Sequence, residues 1–108
     1  MRPKFRCPHG VTNVWERGPV NGAERIKTTA GRAVHLNQKP IDLMVRIIEA
    51  SSDIGDVVWE PFGGLFTATL AARRLQRKAY SCEIDSTYFQ YGGKRLIQEQ
   101  AQSNLPGF

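Results

Sequence analysis

The sequence predicts an α/β fold with a short parallel sheet and flanking helices, and three observations carry that expectation. The apolar run Val57-Val58-Trp59 leads into Glu60-Pro61-Phe62 and the pair Gly63-Gly64, and a helical pattern begins at once. Nineteen residues beyond Gly64, a second short apolar run ends in Glu83-Ile84-Asp85. Upstream, Ile41, Met44, Val45 and Ile48 recur at i, i+3, i+4 and i+7, the stripe of an amphipathic helix. Strand, glycine turn, helix, strand and acid is the layout of a nucleoside-cofactor site on a βαβ unit. Glycine lets the backbone approach a ligand closely, and an acid at a strand end accepts hydrogen bonds from ribose hydroxyls.

In chain order, residues 1–39 hold Pro3, Pro8, Gly10, Gly18, Pro19, Gly22 and Gly31 and show no sustained periodicity. They read as loop with one short strand around Val11–Trp15, and they contain no core of their own. Pro40 suits the first turn of the helix that follows, and Asp42 favours its positive end. Leu43 and Ile47 widen the stripe, and the polar run from Ser51 to Asp56 ends it. Val57–Glu60 is too short and too apolar for a half-exposed strand and reads as a buried parallel one. A second helix is expected over about Leu65–Gln76, with Arg73, Arg74 and Arg77 near its negative end. A strand follows over Lys78–Ile84. A last helix spans about Thr87–Ala101, weakened by Gly92-Gly93, and residues 103–108 form a tail.

A chain of 108 residues has room for one small domain with a modest buried fraction. Arg2, Lys4 and Arg6 are not followed by an apolar stretch, and no run approaches the ~18 apolar residues of a membrane span. Cys7 and Cys82 lack a C-x-x-C partner, which fits a reducing cytoplasm. Cys7 with His9 offers one metal-type pair and no second, so no metal site is expected. The net charge of +5 is uneven: residues 1–39 carry eight Lys/Arg against two acids, and the remainder seven against eight. A basic N-terminal third suits contact with a polyanion such as nucleic acid, or is a solvated surface. Trp15, among Arg17, Arg25 and Lys27, reads either as a base-stacking platform or as local packing.

The glycine turn discriminates among cofactors. A P-loop requires a Lys directly after its last glycine, and here none follows Gly64 until Lys78. A dinucleotide site requires G-x-G-x-x-G so that a pyrophosphate can rest on the helix N-terminus. Gly63-Gly64-Leu65-Phe66-Thr67-Ala68 lacks the later glycines, and Phe66 would crowd a pyrophosphate. S-adenosylmethionine carries no phosphate. It asks for a close-approach turn, an acid for the ribose and apolar walls for the adenine, and the sequence offers candidates for all three.

Four segments in order sharpen this: His35-Leu36-Asn37-Gln38-Lys39-Pro40, Ile41-Asp42-Leu43-Met44, Gly55 through Gly64, and Glu83-Ile84-Asp85 with Tyr88. Together they resemble the cofactor-binding C-terminal half of DNA amino-methyltransferases, in the subgroup whose catalytic motif precedes the cofactor motifs. The resemblance covers about residues 33–96, and Asn13-Val14-Trp15-Glu16 resembles the strand that often precedes the Q-K-P motif. It implies a partial S-adenosylmethionine-dependent methyltransferase (Rossmann-like) fold. The implied organisation is a basic, mostly loop segment 1–32, a cofactor-binding half-domain 33–102 and the tail. It further implies that Gly63, Gly64 and Phe62 lie against the cofactor and that Glu83 binds its ribose. His35, Gln38, Lys39 and Pro40 would shape the methionine end of the pocket. Glu60 would stand near the methionine amino group, where the family usually has Asp.

Two departures from the family pattern matter. The family commonly reads F-x-G-S-G-T-T, whereas Leu65-Phe66-Thr67-Ala68 follows Gly64 here, which removes backbone freedom, adds bulk and implies a rearranged pocket or lower affinity. The family's catalytic [DNS]-P-P-[YFW] motif holds the target amino group and stacks on the flipped base. The six prolines of this sequence are nowhere adjacent, so no catalytic residue is assigned. The implied function is the donor-binding portion of a DNA methyltransferase acting on adenine N6 or cytosine N4, with DNA and a separate catalytic half or a second copy as partners. A non-catalytic remnant that binds nucleic acid and a dinucleotide-binding fragment stay open. So do plainer readings of single residues: Gly63-Gly64 as an ordinary turn, Glu83 and Asp85 as solvated acids, Lys39 as a surface lysine, His35 as a structural hydrogen-bonder, and Phe62 and Phe66 as core.

Overall fold

The computed structural model describes residues 15–20, 22–35 and 38–103. Strand β1 (Val57–Glu60) pairs in parallel with β2 (Lys78–Ser81), in the register Val57↔Lys78, Val58↔Ala79, Trp59↔Tyr80, Glu60↔Ser81. Side chains alternate across a strand, so Val58 and Ala79 share one face with Glu60 and Ser81. That face meets helices α1 (Ile41–Ser51) and α2 (Thr67–Arg74). Ile48, Ala68, Ala71 and Ala72 form the buried cluster, with Ile41, Met44, Val45, Val58, Leu75 and Ala79 packed around it. Ala71 and Ala72 are fully buried, and their small side chains let α1 and the sheet close on the same helix.

The other face corrects the sequence expectation. Val57, Trp59 and Tyr80 are each about 60 % exposed, so β1 is covered on one side only. The run Val-Val-Trp is apolar on both faces, but α1 and α2 lie on one of them. The second strand is also shorter than expected: it stops at Ser81, and Ile84 projects into solvent.

Helix α2 is shorter at both ends than its composition suggests. Phe66, the residue before it, takes the left-handed conformation (φ 59°, ψ 38°), so the helix cannot start at Leu65. At the far end Gln76 is left-handed (φ 62°), Arg77 N–H donates to Ala72 O at 2.8 Å and Gln76 N–H to Arg73 O at 3.1 Å. These bonds make a Schellman motif that closes the helix before Gln76. Arg77 then clamps the ends of α1 and α2 together, donating to Leu75 O, Ser52 O and Ser52 Oγ at 2.7–3.0 Å.

Helix α3 (Ser86–Ser103) is longer than expected and runs unbroken through Gly92-Gly93. Asp85 Oδ1 accepts the Tyr88 N–H at 2.9 Å and so caps its start. Gly92 has a packing role: a methyl there would fall 2.6 Å from Cδ2 of Phe66, whereas one at Gly93 meets nothing within 4 Å. The helix leaves room for a buried aromatic ring (Phe66, 4 % exposed), which also meets Phe89 edge-on at 5.8 Å.

Among the described residues of the N-terminal third, residues 22–35 are more ordered than loop alone. Gly22–Glu24 form a 3-10 turn, and Lys27 and Ala33 make an antiparallel bridge closed by Gly31 with φ 82°. This segment docks on α1 through polar side chains. Glu24 Oε1 accepts the Ile41 N–H at 2.6 Å, capping a helix whose N-cap, Pro40, has no side-chain acceptor. Arg17 Nε donates to both carboxylate oxygens of Asp42 at 2.8 and 2.9 Å, and Arg25 donates to Val20 O and His35 O. Trp15 lies under the Arg46 guanidinium at 5.3 Å, the local packing that was one of its two readings. The expected strand at Val11–Trp15 and the Cys7–His9 pair lie, Trp15 apart, outside the described residues.

The two adjacent glycines of α3 are predicted to respond oppositely to alanine. Gly93→Ala should stabilise by up to about 1 kcal/mol, the intrinsic helix preference. Gly92→Ala should destabilise by about 1–3 kcal/mol, because overpacking against Phe66 outweighs that gain. Urea unfolding midpoints of the two variants check both signs.

Candidate functional site

At the C-terminal ends of β1 and β2 lies a cleft of about 370 Å³. His35, Gln38, Lys39 and Met44 line one side, and Glu60 and the turn Phe62–Leu65 with Thr67 line the other. This volume falls in the range of about 300–1,000 Å³ usual for small-molecule sites.

The turn is built for close approach. Gly64 is left-handed (φ 58°), and its N–H faces Glu83 Oε2 at 3.2 Å. Gly63 N–H donates to Cys82 O, and Phe66 N–H to Gly63 O, each at 2.8 Å. Gly64 also lies beneath the His35 ring, whose Cδ2 and Nε2 would be 3.5 Å from any added Cβ. His35 in turn stacks on Tyr88 of α3, with ring centroids 4.3 Å apart. The Phe66 ring does not line the cleft; it points beneath the turn, between Gly63 and Gly92.

Glu60 ends β1 with its side chain turned to the start of α2. Oε2 accepts the Ala68 N–H at 3.1 Å, and Oε1 accepts the Thr69 N–H at 3.2 Å and the Thr69 hydroxyl at 2.9 Å. Phe66 offers no side-chain acceptor as N-cap, so Glu60 satisfies the orphan donors from outside the helix. Burial pushes its carboxyl above the usual glutamate value, against the opposing hydrogen bonds from Thr69 and Ala68.

The DNA methylase family model (N6/N4 methyltransferases) matches residues 5–94. The chain belongs to the DNA methylase family. It is 35 % identical over 92 residues to the type II methyltransferase M.HinfI of Haemophilus influenzae, a match covering 85 % of this chain and 26 % of that protein. It is 47 % identical over 62 residues to the DNA adenine methyltransferase YhdJ of Escherichia coli K12, covering 57 % of this chain and 21 % of the relative. The crystal structure of the M1.HpyAVI–SAM complex superposes with a TM-score of 0.71 at 32 % identity, over 88 % of this chain and 44 % of that one. The chain thus spans about a quarter of the length of the curated relatives it matches. The partial methyltransferase fold is the architecture the sequence implied.

Set against that methylase fold, the motif residues divide into three groups. His35, Gln38, Lys39, Glu60, Phe62, Gly63 and Gly64 share the cleft wall. Glu83 reaches the wall through Gly64, from the loop after β2. Pro40 does not line the cleft; it stands at the head of α1, extended (ψ 134°) rather than in the first helical turn. Leu36 and Asn37 lie outside the described residues. Within the wall, Gln38 is buried and both ends of its amide are engaged: Oε1 accepts the Ile26 N–H at 2.9 Å and Nε2 donates to Glu24 O at 2.8 Å. Its side chain therefore fastens the N-terminal segment. Phe62 is 92 % exposed and is not core.

Sequence reading missed two residues. Thr67 lines the cleft, and its hydroxyl reaches Lys39 O at 3.4 Å. Arg95 donates through one nitrogen to Thr67 Oγ1 at 3.0 Å and to Leu65 O at 3.2 Å. The signal for Arg95 was available in the helix spacing of Tyr88, Gly92, Arg95 and Glu99, which puts all four on one face of α3. Among the described residues no group of His, Cys, Asp or Glu is arranged to hold a metal ion.

Glu60 carries a pH signature. Its folded value is raised, so the folded state holds the proton more tightly, and the stability this group contributes is full below the ordinary value of 4.5 and lost as pH rises through the raised one. The stability difference between the native chain and Glu60→Gln should therefore shift in the variant's favour as pH climbs above 4.5. Paired urea titrations from acid to neutral pH measure it; a difference that moves the other way contradicts the burial argument.

Proposed function

We propose that this chain is the S-adenosylmethionine-binding portion of a DNA methyltransferase that modifies the exocyclic amino group of adenine or cytosine. The observation that carries the reading is the left-handed Gly64 turn beside Glu83, at the mouth of a cleft on the C-terminal ends of two parallel strands. Among the described residues, Glu83 engages the turn through Oε2 only, which leaves Oε1 to accept from ribose hydroxyls. Phe62, Leu65 and Met44 supply apolar lining, and His35 and Lys39 polar lining. Glu60 caps α2 and orients the turn, and its position in the cleft suits the methionine amino group. The cofactor, when bound, supplies a methyl on a sulfonium, transferred in line to an amino nitrogen that then loses a proton. This chain's part is to bind and orient the donor.

DNA is the proposed substrate, and the basic residues of the N-terminal third favour contact with its phosphates. No described helix is long and apolar enough to cross a membrane, and a cytoplasmic site of action suits the substrate. The acceptor site is assigned to a separate catalytic half, because this sequence, and so any second copy of it, contains no adjacent prolines. The exposed sheet face of Val57, Trp59 and Tyr80 is the surface we assign to that contact, since parallel strands are stable when covered on both faces.

Calorimetric titration tests the donor site. S-adenosylhomocysteine should bind, and Glu83→Ala should weaken it by about 1–3 kcal/mol, roughly 5- to 150-fold, by leaving ribose hydroxyls without their acceptor. A folded sample giving no heat at millimolar ligand would falsify the reading. Equal titration by NAD would favour a dinucleotide site.

Methyl transfer tests the division of labour. The chain alone should put no tritiated methyl into mixed-sequence DNA and should do so when mixed with a catalytic half bearing the Pro-Pro motif. Incorporation by the chain alone would show that the acceptor site is misassigned. No incorporation with any partner would favour a nucleic-acid-binding module without catalysis.

A further inference from the structure

Arg95 belongs to none of the motifs, yet it touches the cleft wall from behind. It sits on α3, half-buried, and burial holds its guanidinium below the usual arginine range. A guanidinium brought out of water carries a desolvation cost that its hydrogen bonds must offset. Here one nitrogen, Nη1, donates to Leu65 O and to Thr67 Oγ1, the groups on either side of Phe66. Phe66 is the left-handed, non-glycine residue of the turn, a conformation that costs about 1–3 kcal/mol and persists only when its surroundings over-determine it. The Thr67 hydroxyl passes the contact on to Lys39 O across the cleft.

We propose that Arg95 is a positioning residue of the donor cleft. It pins the backbone before and after Phe66 and, through the Thr67 hydroxyl, ties the glycine turn to the opposite wall at Lys39. This inference rests on the donor-site reading for its affinity consequence and on geometry alone for its effect on the turn. The alternative is that Arg95 merely fastens α3 to α2. The Arg74–Glu99 pair, at 2.6 and 3.0 Å, makes that same connection away from the cleft and is the natural control.

The experiment compares native chain, Arg95→Ala, Arg95→Lys and Arg74→Ala by calorimetry with S-adenosylhomocysteine and by hydrogen exchange at the Phe66 amide, which is bonded to Gly63 O. Arg95→Ala should weaken binding at least about tenfold and speed Phe66 exchange. Arg74→Ala should leave binding within about twofold and Phe66 protected, even where it lowers the melting temperature as much. Both bonds leave one nitrogen, so the ammonium of Arg95→Lys, with three donors, should restore affinity to within about threefold of native. Unchanged affinity and exchange in Arg95→Ala would overturn the proposal, as would parallel losses in Arg95→Ala and Arg74→Ala. If the native chain binds nothing, the donor-site reading fails, and the exchange comparison still decides whether Arg95 holds the turn.

Discussion

The placement of one aromatic ring governs the rest of this structure. Phe66 sits beneath the glycine turn with a left-handed backbone, and its ring fills the space that Gly63 and Gly92 leave empty. That backbone state delays the start of α2 to Thr67, so first-turn N–H groups without intrahelical acceptors point at Glu60. It also reverses the chain sharply enough for Gly64 to face Glu83 and the cleft. A glycine at 66 would adopt the same φ at lower cost but would bring no apolar body to bind α3 to the turn. The ring expected to crowd a pyrophosphate lies instead beneath the turn, outside the cleft lining.

Carboxylates do much of the remaining positioning. Each of the described helices α1, α2 and α3 has a first-turn N–H group met by an acid: Glu24 for α1, Glu60 for α2 and Asp85 for α3. Only Asp85 is local in sequence. The other two come from segments that must already be in place, so helix starts and tertiary docking are coupled. This suits a chain whose buried cluster is small and rich in alanine. The stripe of Tyr88, Gly92, Arg95 and Glu99 continues the pattern on α3, meeting in turn a ring, a ring, a backbone turn and the Arg74 guanidinium.

What was legible in the sequence was the part written in local pattern. Val57–Glu60 and the acid after the second strand announce a βαβ unit, and the Ile41–Ile48 stripe announces α1. Gln38 and Lys39 of the Q-K-P segment do converge with Gly63-Gly64 on one cleft. What stayed hidden depends on pairs distant in sequence. The uncovered face of β1 was invisible because Val-Val-Trp reads as apolar whether or not this chain supplies a cover. Gly92 looked like a defect because its reason is a ring on another element. The fastening role of the Gln38 side chain stayed hidden because its hydrogen-bonding partners, Ile26 N–H and Glu24 O, lie in a segment without periodicity.

The ring between two glycines also restricts the order in which this sequence can change. With Phe66 in place, positions 63 and 92 admit no side chain without displacing the ring. A lineage bearing the glycine-rich turn can acquire Phe66 only where both neighbours are already bare. Once it has, neither neighbour is free to drift until the ring is lost. Three positions spread over a turn and one helix thus behave as a single heritable character, and Phe66 together with a branched residue at 92 is the combination that descent should not contain.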